Sequence, residues 1–265
     1  MADEKPVADT GTYRSTRPII HSIGPADLKF ALVMGLADFK AMPTHLVFLC
    51  LIYPIVIVML ARVYAGYEVL PLVFPLLAGY TLIGPLVATG MYELSRRREM
   101  GLDTSRLRAF EVIRSPSIGA IAILGIVLMV IYFVWLFTAQ GIYNLYFGGA
   151  VPESIGGFAY QVFATSSGWA LIIVGGGVGF IFASVVFALS VVSFPMLLDR
   201  DIGVMTAVGA SVRAVLANPI MLAIWAVIVA ASLLIGSLPF FVGLAVVMPV
   251  LGHSTWHLYR RVVEP

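Results

Sequence analysis

Long apolar stretches alternate with short basic ones along this chain. No formal charge occurs between Lys40 and Arg62, nor between Glu68 and Glu93. A bilayer core about 30 Å thick asks for about 20 apolar residues in a helix. The pattern predicts spans at 46–64, 70–92 and 118–138, the second closed by Arg96-Arg97-Arg98. The uncharged run Ser154–Leu198 is too long for one span. Its Ser- and Gly-rich start, 154–168, reads as a surface or re-entrant segment, and 170–193 as the fourth span. The uncharged run Ala214–Tyr259 divides at the turn signal Gly236-Ser237-Leu238-Pro239 into spans 219–238 and 240–257. The expected fold is an all-α polytopic membrane protein, with six transmembrane helices in one membrane domain, 21–265, behind a disordered tail, 1–20.

A second pattern precedes the odd-numbered spans. Ser22-Ile23-Gly24-Pro25 reads as a helix start. In the helix that follows, Leu28, Ala31, Leu32, Gly35, Leu36 and Phe39 share a face, with Asp27, Lys29, Asp38 and Lys40 elsewhere. That predicts an amphipathic helix on the membrane surface. Asp103–Ile113 repeats it with Leu107, Phe110 and Ile113, and Asp201–Leu216 with Val204, Val208, Val212 and Val215. Asp199, Arg200 and Asp201 are expected to cap the third such helix. In each case an apolar residue (Phe39, Val112, Val215) stands four positions before a proline. The hairpin exits also align without gaps. Gly84–Arg97 falls on Met248–Arg261 with Pro, Leu and both Arg identical, 4 of 14 positions, and Leu198-Asp199-Arg200 is the middle counterpart. The reading is three hairpin repeats, each preceded by a cytoplasmic amphipathic helix, the middle one carrying an insertion at 139–168.

Composition fixes the class. Hydrophobic residues make up 60% of the 265 and charged ones 11%, against about 25% charged in soluble domains. That excludes a soluble domain and a nucleic-acid binder. The single cysteine, Cys50, excludes a disulfide framework. With both termini on one side, 15 of the 16 Lys and Arg fall on that side, Arg62 excepted, so both termini are expected to be cytoplasmic. Residues 1–20 are polar and show no cleavable leader.

Ionisable groups near the membrane are the default site candidates. His253 and His257 lie four apart on one helix face, with His45 at a similar level. The plainer reading puts both beside Trp256 and Tyr259 in an aromatic belt; the sharper one makes them ligands or a proton relay. Glu93 is expected to pair with Arg96 or Arg97, and in the sharper reading faces His257 across the bundle. Arg96, Arg97, Arg98, Arg260 and Arg261 are topology signals and candidate contacts for anionic lipid headgroups. Pro85 and Pro249, at corresponding repeat positions, break helical hydrogen bonding as transporter helices do at their sites. Gly175-Gly176-Gly177 and Gly179 sit in an apolar run and read as helix packing or a kink. The aromatic segment Tyr143–Gly149 reads as an interfacial girdle or a docking point for a membrane partner. No catalytic residue, cofactor or metal is expected.

Three segments carry a resemblance to a known family: Pro75–Glu99, with Gly84-Pro85 and Tyr92-Glu93-Leu94-Ser95-Arg96-Arg97-Arg98; Ser193–Asp201; and Pro249–Arg260. Together they resemble an uncharacterised family of prokaryotic integral membrane proteins, a domain of unknown function, over about residues 25–262. Some members carry a provisional cytochrome c oxidase label. The resemblance implies a bacterial inner-membrane protein. The chain's four histidines are too few for a haem–copper catalytic subunit. The expected function is a non-catalytic accessory or scaffold subunit, associated with a respiratory oxidase-type complex and partnered by the bilayer and other membrane subunits. The alternative is a small transporter or channel with a site between spans two and six.

Overall fold

In a computed structural model, the described residues are 18–44, 48, 52–53, 55–56, 58–59, 62–63, 65–239 and 241–264, with backbone alone at 78–83 and 106–107. His45, Cys50 and most of the expected first span lie outside them; its described positions are helical.

Helix α1 is Pro25–Ala41; a 3₁₀ turn, Tyr67–Val69, leads into α2, Leu70–Val87, and α3, Thr89–Glu99. A 3₁₀ segment, Arg106–Arg114, precedes α4, Ile118–Phe147. Then come α5, Ile155–Ala164; α6, Ser166–Ser190; α7, Ser193–Asp199; α8, Val204–Ala217; α9, Pro219–Ser237; and α10, Leu244–Val262. Among the described residues the only extended pairing is a bridge between Ile20 and Val263. The last positions of the expected disordered tail are therefore tied to the C-terminus.

Among the described residues, three helical stretches are long and apolar enough to cross a membrane: Ile118–Phe147, Ser166–Asp199 and Pro219–Ser237. The first and third begin where the pattern placed them. The first runs on past the expected 138, taking in Tyr143, which stacks on Phe147 and hydrogen-bonds the Ala150 carbonyl. The Ser- and Gly-rich segment forms α5, its start capped by Ser154, whose Oγ accepts from the Gly157 N–H. Proline acts differently in the two exits. After Pro85 the helix breaks at Ala88 into α2 and α3, whereas Pro249 sits inside a continuous α10.

The elements expected to precede spans pack in a regular way. α1 lies along α10, the Arg106–Arg114 segment along α3, and α8 along α7. The three helices at the expected hairpin exits, α3, α7 and α10, also touch one another. Each entry element thus rests on an exit helix, and α1 on α10 joins the two ends of the chain. Cross-ties hold this end together. Ile23 N–H donates to Asn218 Oδ1, Asn218 Nδ2 donates to the His21 carbonyl, and His21 N–H donates to the Val262 carbonyl.

In two helices burial favours small residues. In α1 the buried residues are Leu28, Ala31, Gly35 and Asp38, while Leu36 is exposed and Leu32 and Phe39 half-buried. In α8 they are Ala207, Ala210, Ser211 and Ala214, with the four valines half-buried. Small residues face the protein and larger apolar ones face out. Helices meet closely through small residues in membranes, where Leu against lipid costs nothing.

Candidate functional site

The site forms where α1, α3 and α10 meet. A Cβ on Gly35 would lie 2.0 Å from Ser254 Oγ and 2.5 Å from its backbone nitrogen. Only glycine there lets α1 approach α10 this closely. On α10, a Cβ on Gly252 would lie 2.9 Å from Met91 Cβ of α3. These two close approaches bring polar side chains from three helices into one interior.

Asp38 is the centre, 2% exposed. Its Oδ2 accepts from Ser95 Oγ at 2.5 Å and from His257 Nε2 at 2.8 Å. Its Oδ1 accepts from Arg98 Nη1 at 2.6 Å. His253 Nδ1 lies 2.8 Å from Ser95 Oγ and 3.9 Å from Asp38 Oδ2. A hydroxyl has one proton to give, and Ser95 gives it to the carboxylate. The protons are therefore assigned: His253 carries one on Nδ1 and donates to Ser95, and His257 carries one on Nε2 and donates to Asp38. His253 Nε2 is left as an acceptor, wholly buried and without a hydrogen-bond partner among the described residues, as is Ser254 Oγ. The Phe30 ring stands edge-on to His257.

Burial would raise the Asp38 pKa. The hydrogen bonds from His257 and Ser95, with the coulombic attraction of His257, outweigh it, so the carboxyl titrates below its ordinary value.

Glu93 belongs to a neighbouring network. It is 3% exposed, holds Arg96 through two bonds of 2.8 and 3.1 Å, and holds Arg97 at 3.4 Å. Arg97 also reaches Glu111 at 2.7 Å. The carboxylate on His257 is Asp38, not Glu93. A third network joins α3, α7 and α10: Glu99 accepts from Trp256 Nε1 and Arg260 Nε, and Asp199 accepts from the Tyr259 hydroxyl at 2.7 Å and from Arg260. Asp199 is thus a bridge to α10; Gly203 is the residue at the start of α8. Trp256, Tyr259 and His253 are buried, so the aromatic-belt reading of this stretch does not hold.

The arginines singled out as headgroup contacts are ion-paired: Arg96 and Arg97 hold Glu93, Arg98 holds Asp38, Arg260 holds Glu99, and Arg261 holds Asp27. Of the glycines in α6, Gly179 packs on Trp135, and Gly175, Gly176 and Gly177 face open space. No group of three or more metal-ligating side chains with suitable geometry occurs among the described residues.

These networks sit in a chain whose apolar helices are of bilayer length. Residues 73–199 match the family described as Predicted integral membrane protein (DUF2189), whose function is unknown. The chain is an integral membrane protein with several apolar helices. The matched segment holds Glu93, Ser95, Arg96, Arg97, Arg98 and Asp199, and ends before α10. It contains one side of the Asp38 cluster and not Asp38, His253 or His257. No curated protein and no solved structure matches the chain.

Sequence reasoning missed Asp38 and Ser95. Asp38 stands seven residues after Ala31 and three after Gly35, on the small-residue stripe. A carboxylate continuing such a stripe is the signal that would have found it.

Proposed function

We propose that this chain is a non-catalytic membrane protein, an accessory or scaffold subunit of a larger assembly, in which the Asp38 cluster is the joint that closes the bundle. One observation carries the reading: Asp38 is buried and takes three donors from two other helices, so its charge is spent within the chain. A buried carboxylate saturated in this way holds elements in register. The proposal includes six spans arranged as three hairpin units. The packing of α8 on α7, of the Arg106–Arg114 segment on α3 and of α1 on α10 supports it, because each unit's entry element then rests on the exit of another. It also includes a bacterial inner membrane with both termini cytoplasmic, supported by the distribution of Lys and Arg. A respiratory oxidase-type complex is the partner that the family resemblance suggests.

Purification from native-level expression into nanodiscs, with mass spectrometry and an optical spectrum, tests the reading. Further membrane subunits in fixed stoichiometry are expected. A lone chain contradicts the accessory role, and a haem spectrum carried by the isolated chain contradicts the non-catalytic one.

A second reading, a small transporter with its site between α3 and α10, draws support from the Ser95–His253 bond and the bare His253 Nε2. In that reading a proton taken at Nε2 passes through Ser95 to Asp38. Substrate-driven proton flux in liposomes that is lost in folded His253→Gln would establish it.

A further inference from the structure

The cations at the cluster's end of the bundle include paired and unpaired ones, Arg108 being held by Asp103 and Glu111 and Arg200 by Asp199. Those of the exit helices are paired with carboxylates, as described above. Lys29 and Lys40 on α1, Arg114 at the end of the Arg106–Arg114 segment, and Arg213 on α8 are exposed and have no ion pair among the described residues. All four lie on the elements that precede spans.

Each also has an exposed apolar neighbour. Val33 is four residues from Lys29, Leu36 four from Lys40, Ile113 next to Arg114, and Leu216 three from Arg213. These apolar residues are 56%, 41%, 67% and 74% exposed. Residues three or four apart share a helix face. A face that pairs unspent cations with uncovered apolar side chains fits the headgroup boundary of a bilayer, where the alkyl part enters the acyl region and the charge meets phosphate. Their place in the chain agrees: Arg114 stands four residues before α4, and Arg213 six before α9. Among the described residues, Asp201 and Glu264 are the carboxylates at this end without an ion pair, too few to neutralise them.

We infer that Lys29, Lys40, Arg114 and Arg213 form a collar of anionic-lipid contacts around the end of the bundle, and that the arginines of the exit helices do not. The occupant is the phosphate headgroup of an anionic phospholipid.

The test uses full-length protein in nanodiscs of phosphatidylcholine with a minority of phosphatidylglycerol, extracted into mild detergent, with the retained lipid counted by native mass spectrometry. Wild type is expected to retain phosphatidylglycerol in preference to phosphatidylcholine. The combined variant Lys29→Gln, Lys40→Gln, Arg114→Gln, Arg213→Gln is expected to lose that preference by about fivefold or more. Arg62→Gln, outside the collar, is expected to keep it. If the fourfold variant does not fold, Arg114→Gln with Arg213→Gln is read in its place, with the same direction expected. Equal retention of the two lipids by wild type overturns the inference, and so does undiminished phosphatidylglycerol in the folded variant.

Discussion

Two regions of this molecule invert the usual relation between polarity and burial. The stretch Ser166–Asp199 is strongly apolar, yet only 6% of its most apolar window is buried inside the protein. The second half of α10 carries His253, Ser254, His257 and two arginines, yet its two histidines, Ser254, Trp256 and Tyr259 are all buried. In water that arrangement would be unstable. In lipid it is expected, because Phe180 or Ile181 gains nothing by turning inward, whereas an imidazole or carboxylate has no partner unless the protein supplies one. Stability in this chain should therefore reside in the polar joint.

The largest expected effect falls there. Asp38→Ala leaves His257, Ser95 and Arg98 without an acceptor, and should cost about 3–5 kcal/mol, the range for breaking a buried pair from one side. Thermal unfolding in a fixed detergent measures it. A loss below about 1 kcal/mol would mean that the cluster is wet or loosely packed.

Next comes Gly35→Ala. The added Cβ would overlap Ser254, so α1 must move from α10, at about 1–3 kcal/mol. Unchanged melting would show that the two helices are farther apart than described.

Acidity sharpens the comparison further. The Asp38 pKa is lowered in the folded protein, so the stability from its ionised form is complete above the unfolded value of about 4 and is lost as pH falls through the folded value. The gap in stability between wild type and Asp38→Asn should persist at pH 7 and narrow only below about pH 4. A gap that widens between pH 7 and 5 would reverse the assigned direction.

The smallest effect is expected on the apolar side. Phe180→Ala, at a position 74% exposed, should change stability by less than about 0.5 kcal/mol in lipid. A loss of several kcal/mol would mean that the face is covered by protein.

The apolar helices were readable because length and lack of charge suffice to define them; α4 and α9 begin at Ile118 and Pro219 as the pattern indicates. In α1 and α8 the pattern marked an apolar face for the membrane surface; which small residues would pack on protein was not readable, since large apolar residues signal the interior only where water is the alternative. Asp38 was out of reach for a different reason. Its partners Ser95 and His257 lie 57 and 219 residues away, and no local spacing encodes that meeting. His253 and His257 drew attention through their i, i+4 spacing, and they do share a site. Glu93 pairs with Arg96 and Arg97 as its spacing indicated, while the sharper reading from repeat equivalence, a contact with His257, is not made.

A double-mutant cycle on Asp38→Asn and His257→Gln tests the joint most directly, because it reads the energy of the contact rather than the damage of either change. The account predicts a coupling of about 1–3 kcal/mol in thermal or denaturant unfolding. Strict additivity of the two substitutions would contradict it.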